Sequence, residues 1–144
     1  MTRTQGLNFS VEERPDGIAV VQVWRRPDLS RDEGARCAQL IAGHMTRLAG
    51  RARSCIFDLT RATTSWGPAT HRALGEMLRV WEVAGKSIYI VQSDESIQRL
   101  LLRELQRKVA PRWGHLVDSY DFALEVLGAG MTGPFVSPPK RRLP

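Results

Sequence analysis

Residues 58–70 read DLTRATTSWGPAT. Thr63, Thr64 and Ser65 place three hydroxyls directly ahead of Trp66, Gly67 and Pro68, where an apolar run ends and a helical pattern begins. Two kinds of chemistry suit that arrangement. A helix start carries unpaired N–H groups and a partial positive charge. An anion would be stabilised there, as would a phosphate of about −2 charge on Thr63, Thr64 or Ser65. Arg61 and Arg72 would reinforce such a site if they face it. The plainer use is structural: Thr64 or Ser65 caps the helix, Trp66 packs on the sheet end and Gly67-Pro68 fixes the turn. Either use leaves Thr63, Thr64, Ser65, Trp66, Gly67 and Pro68 as a contact surface for a protein partner, with Trp66 as its aromatic anchor.

Other clusters offer less. Arg99, Arg103 and Arg107 recur every four residues and form a basic ridge suited to an anion or an acidic partner. Glu95 stands four before Arg99 and Glu104 four before Lys108, the spacing of a solvated, ion-paired helix face. Asp32/Glu33 and Asp94/Glu95 pair carboxylates, but each pair falls at a helix start, where acids favour the dipole. Asp58, at a strand end, either orients a ligand or stabilises its own loop. The chain has no G-x-S-x-G elbow, no P-loop and no dinucleotide glycine pattern. A non-enzymatic protein with no cofactor is expected. Cys37 and Cys55 sit in apolar surroundings, as buried reduced thiols do, and the scattered His44, His71 and His115 lack metal-ligand spacing.

Composition sets the frame for those clusters. The 144 residues, 42% hydrophobic and 25% charged, suit a globular domain with a real core. No apolar run reaches the length of about 20 residues that spans a bilayer. The opening MTRTQGLNFS has no signal-peptide core, so a cytoplasmic location is expected. The net charge of +6 invites nucleic acid, but the bases are spread along the chain, with 18 Arg to 3 Lys, and weigh against it.

The elements that must position these residues follow from patterning. Leu7, Phe9 and Val11 alternate with polar neighbours, Pro15-Asp16-Gly17 supplies a turn, and Ile18 to Trp24 is β-branched: a hairpin. Ser30 and Glu33 make a capping box for a helix with Ala38, Ile41, Met45 and Leu48 on its inner face, ended by Gly50. SCIFDL is a buried strand. Pro68 suits the first turn of a second helix, with Thr70, Leu74, Met77, Leu78 and Trp81 inward and Gly85 as its stop. KSIYIV is a strand. A third helix is capped by Ser93 or Asp94 and buries Ile97, Leu101, Leu105 and Val109, flanked by Leu100 and Leu102. GHLVD is a last strand, and Ser119 caps a last helix. The expected fold is α/β, a mixed, mainly parallel sheet with an N-terminal β-hairpin and about four helices, in the order β-β-α-β-α-β-α-β-α. One domain spans 1–128, and 129–144 is a Gly/Pro-rich basic tail expected to be mobile. The hairpin's exposed edge is a place for homodimer pairing.

Three stretches carry a family likeness. IFDLTRAT, GKSIYIV and VDSYDFALEVL, in this element order over residues 7–128, resemble the STAS domain of bacterial anti-sigma factor antagonists and sulfate-transporter tails. Phosphorylated members place Asp-Ser-Ser/Thr-Gly after the strand, with a hydroxyl as acceptor. The matching register here reads Trp66-Gly67-Pro68-Ala69 and has none, so a switch needs a shifted loop using Thr63, Thr64 or Ser65. The chain also resembles the broader STAS-like group that shares its fold with lipid-binding CRAL-TRIO domains. The resemblance implies a regulatory or adaptor module that binds a protein partner through Thr63 to Pro68. Two alternatives stand beside it: a lipid or small apolar ligand in a cleft between helices and sheet, and nucleic acid on the Arg99–Arg103–Arg107 face.

Overall fold

A computed structural model describes residues 2–63 and 65–128. Thr64 and the predicted tail at 129–144 lie outside the described residues. Six strands form one sheet in sequential order: β1 (Thr2–Gln5), β2 (Phe9–Glu13), β3 (Ile18–Trp24), β4 (Ser54–Arg61), β5 (Ile88–Val91) and β6 (Gly114–Val117). The β1–β2 and β2–β3 pairs are antiparallel, and the three that follow are parallel. Helices α1 (Arg31–Ala49), α2 (Pro68–Ala84) and α3 (Ser96–Val109) follow β3, β4 and β5, and α4 (Tyr120–Gly128) follows β6. The α/β class and the mixed, mainly parallel sheet match the sequence expectation. No helix among the described residues is long and apolar enough to cross a membrane.

Each parallel step moves one strand further in the same direction, and right-handed crossovers then put α1, α2 and α3 on one face. The pleat sends alternate side chains to that face. Phe9, Val11, Ala19, Val21, Cys55, Phe57, Leu59, Ile88 and Ile90 meet Ile41, Met45 and Leu48 of α1, Leu74, Met77, Leu78 and Trp81 of α2, and Leu102 and Leu105 of α3. The opposite face packs Ile18, Val20, Ile56, Tyr89, Val91 and Val117 under Ala123, Val126 and Leu127 of α4. Burial pushes the His115 imidazole down to about 4 against the Tyr89 ring, 4.8 Å away between centroids.

Several elements differ from expectation. β1 is an additional strand, pairing Thr2–Gln5 with Ser10–Glu13. Its residues are polar and all exposed, so no alternation announced it. Gly6 makes the return: its N–H donates to the Phe9 carbonyl at 2.8 Å, and a Cβ there would meet the Phe9 ring at 2.1 Å. The hairpin edge proposed for pairing is therefore already paired, and the free edge belongs to β1. In α3 the inner face is Gln98, Leu102 and Leu105, with Ile97 and Leu100 58% and 63% exposed. The Leu100–Leu102 run accommodates more than one helical phase, and a buried Gln decided it. Neither Ser93 nor Asp94 caps α3; Glu95 holds that position without a side-chain bond. Three other boundaries follow the sequence. Ser30 and Glu33 form both bonds of the capping box, Gly85 ends α2 at φ +67°, and the Ser119 hydroxyl accepts from the Phe122 N–H at 3.0 Å.

Candidate functional site

The carboxyl ends of β3 and β4 are adjacent, and each feeds a loop that turns into a helix on the same face. Between them the loops and the first turns of α1 and α2 enclose a cavity of about 300 Å³. Open parallel sheets hold ligands at this edge because the loops diverge there and helix starts point inward. The floor is Val23, Phe57 and Leu59 from the sheet. Ala38 and Ile41 of α1 and Leu74 of α2 make the walls, with Leu29, Ala62 and Trp66 from the loops. Thr63, Ser65, Gly67 and Thr70 complete the side nearest α2, and Arg25, Arg26, Ser30, Arg31 and Gly34 the side nearest α1.

The β4–α2 loop is held from below by a residue that sequence reasoning passed over. Gln98 is wholly buried. Its Nε2 donates to the carbonyls of Leu59 at 3.1 Å and Thr63 at 3.3 Å, and its Oε1 accepts from the Ser93 N–H at 2.8 Å. One amide thus ties the end of β4 to the start of α3, and satisfied polar groups of this kind can sit in a core. Trp66 is half-buried against the main core rather than free, and its Nε1 donates to His71 Nδ1 at 2.9 Å. The Thr63 hydroxyl donates to the Ser65 carbonyl at 3.0 Å. Thr63, Ser65, Gly67 and Pro68 are exposed.

The helix start itself corrects a prediction. Gly67, not Thr64 or Ser65, is the N-cap of α2; it makes no side-chain bond, and Pro68 fills the first turn. The first-turn amides of Ala69 and Thr70 therefore have no capping side chain. Across the cavity, Ser30 caps α1 from both sides, and hydrogen bonding from the Ser30 N–H holds the Glu33 carboxyl below its usual range.

Arg61 and Arg72 do not serve the cavity. Arg61 lines a polar depression on the other face of the sheet, with Arg3, Gln22 and Asp58, while Arg72 lines a groove between α1 and α2. Asp58 takes the loop-stabilising role: its Oδ1 accepts from the Thr60 N–H at 2.9 Å and the Thr60 hydroxyl at 2.7 Å. The arginines beside the cavity come from the β3–α1 loop instead. Arg26 is committed, to Asp28 through Nε at 2.7 Å and to the Leu7 carbonyl at 3.0 Å, and its hydrogen bonds hold the Asp28 carboxyl at about 2. Arg25 and Arg31 are exposed and have no partner among the described residues. The signal for them was present in WRRPDLSRDE, which repeats the strand–loop–helix pattern of the residues around Thr63.

The basic ridge on α3 does not survive as a unit. Arg99 Nη1 bonds Asp118 Oδ1 at 2.9 Å and the Ser93 carbonyl at 3.1 Å, so it does not pair with Glu95. Arg103 and Arg107 remain exposed, and Glu104 pairs with Lys108 at 3.6 Å. Two exposed arginines are thin support for a nucleic-acid surface.

No family model matches the chain, and no curated protein is significantly similar to it. A solved structure has a similar fold: the NMR structure of the protein TM1081, with a TM-score of 0.56 and 18% sequence identity, over 87% of this chain and 92% of that one. At that identity the likeness is one of fold alone. The cavity must be read from its own residues. Among those described as lining it there is no Asp, Glu, His, Cys or Lys, so its chemistry is apolar enclosure with arginine and hydroxyl groups at the rim. The Asn8 side-chain oxygen is shut off from solvent without a hydrogen-bond partner, and Asn8 lines the cavity.

Proposed function

We propose that the protein is a non-enzymatic binding module whose ligand is a small, largely apolar molecule held between α1, α2 and the sheet. The observation that carries this reading is the cavity of about 300 Å³ whose walls are Val23, Ile41, Phe57, Leu59 and Leu74. A preformed, mostly apolar pocket of that size at the carboxyl edge of a parallel sheet is the common form of a small-molecule site. The absence of an acid–base pair among the described lining residues supports holding over turnover.

A second reading is favoured by the exposure of Thr63, Ser65, Gly67 and Pro68. Thr63, Ser65 and Gly67 line the cavity and Pro68 follows them in the chain, so a protein partner docking there would sense whether it is filled. A phosphate on Ser65 would stand near the uncapped start of α2 and add negative charge to that rim. The sequence resemblance to STAS-domain regulators belongs to this reading.

Gly34 provides a clean test of the first reading. It lines the cavity from α1, and a Cβ added there meets nothing within 4 Å. Gly34→Phe should therefore fill the cavity while improving helix propensity by a few tenths of a kcal/mol. Native mass spectrometry of the purified protein should show a small-molecule adduct that Gly34→Phe loses without losing thermal stability. A wild-type protein that carries no adduct, and whose Tm does not move with a panel of small apolar compounds, would refute the reading.

A further inference from the structure

The cavity is apolar inside, yet the charged residues among its described lining are all arginines. Arg25, Arg26 and Arg31 line it, and no described lining residue is acidic. Arg26 is neutralised by Asp28, whereas Arg25 and Arg31 are exposed, which puts them at the mouth, and neither has a partner among the described residues. On the opposite lip, α2 begins at Gly67 with no side chain on its free amides, and Thr70 of that first turn lines the cavity. Arg51 is paired to Glu13 at 2.7 Å and Arg14 to Asp16 at 3.0 Å, whereas the side chains of Arg25 and Arg31 carry no such pair among the described residues. Two unneutralised arginines and an uncapped helix start lining one apolar chamber are complementary to one kind of molecule.

We propose that the ligand is an organic carboxylate: an apolar body that enters the chamber and an anionic head that stays at the mouth between Arg25, Arg31 and the first turn of α2. This rests on the reading of the cavity as a small-molecule site. Arginine suits a carboxylate because its planar fork offers two parallel donors, and the helix amides add further donors with a favourable dipole. The chamber offers about 300 Å³. One short aliphatic chain or one aromatic ring system fits that space; the two acyl chains of a membrane phospholipid do not. The occupant is thus a free acid and not a bilayer lipid.

Calorimetric titration with octanoate and with octan-1-ol, which share a chain length and differ in charge, tests this. Wild-type protein should bind octanoate about tenfold more tightly than octan-1-ol, the minimum expected from hydrogen bonds to a charged group. The double variant Arg25→Gln/Arg31→Gln should lose most of that preference, and raising the salt concentration should erode it in the wild type. Gly34→Phe should bind neither compound. Equal affinity for the two probes, or a preference that survives the double variant, would overturn the carboxylate while leaving an apolar site in place. Binding of neither probe to the wild type, or equal binding to Gly34→Phe, would overturn both.

Discussion

The two loops that roof the cavity leave neighbouring parallel strands at the same edge of the sheet, yet they begin their helices in opposite ways. After β3, Ser30 and Glu33 exchange hydrogen bonds, and the start of α1 is closed by its own side chains. After β4, Gly67 and Pro68 bring no side chain to the free amides, and the start of α2 is left open. The arginines show the reverse bias: Arg25, Arg26 and Arg31 belong to the closed side, and none of the described lining residues on the open side is basic. The positive residues and the unfilled helix start line opposite sides of one apolar gap. Local capping thus settled which side of the gap can offer backbone donors to something from outside.

The contrast can be broken most forcefully from beneath the open loop. Gln98→Leu nearly keeps the volume but removes the partner of the Thr63 carbonyl and of the Ser93 N–H, and leaves the Leu59 carbonyl with the Ala62 N–H alone. A loss of about 2–4 kcal/mol in urea unfolding is expected, with faster amide exchange in residues 59–63. A loss under about 1 kcal/mol would mean the open loop is rigid without this tether. On the closed side, Ser30→Ala should cost about 1 kcal/mol and raise exchange only in the first turn of α1. If α2 frays equally, the two starts are not independent.

Two weaker perturbations sharpen the difference. Hydrogen bonding holds the Glu33 carboxyl below 4.5 in the folded state, so its contribution to the cap is present above that value and fades as pH falls through the lower folded one. The Ser30 amide resonance should titrate with a midpoint below 4.5, and no first-turn amide of α2 should follow it; a Ser30 midpoint at or above 4.5 would contradict the box. Finally, Gly67→Asp supplies the cap that α2 lacks, at a φ of −78° that any residue adopts and with nothing within 4 Å of the new Cβ. A gain of a few tenths to about 1 kcal/mol is expected, and destabilisation would show that the start of α2 is already satisfied.

What could be read from the chain alone was local. The Ser30–Glu33 box, the Gly17 turn at φ +88°, the Gly85 stop and the apolar runs of β3, β4 and β5 depend on residues within a few positions of one another, and each formed as its pattern implied. The Thr63–Pro68 loop was recognisable as a strand-to-helix turn for the same reason. Which residues stand around that turn was another matter. Arg25 and Arg31 reach its cavity, and Arg61 does not, because parallel pairing of β3 with β4 brings two loops together while the register shift between Gln22–Asp58 and Trp24–Arg61 breaks the alternation and carries Arg61 to the other face. Gln98 is invisible as a core residue until Leu59, Thr63 and Ser93 converge on its amide, and that convergence sets the phase of α3 against its own leucine run. β1 exists because β2 offered an unpaired edge and Gly6 could turn tightly over Phe9, since its polar side chains carry no drive of their own. Capping and turns are short-range energies written in neighbouring residues; burial, charge neighbours and cavity walls depend on contacts that form only when distant segments meet.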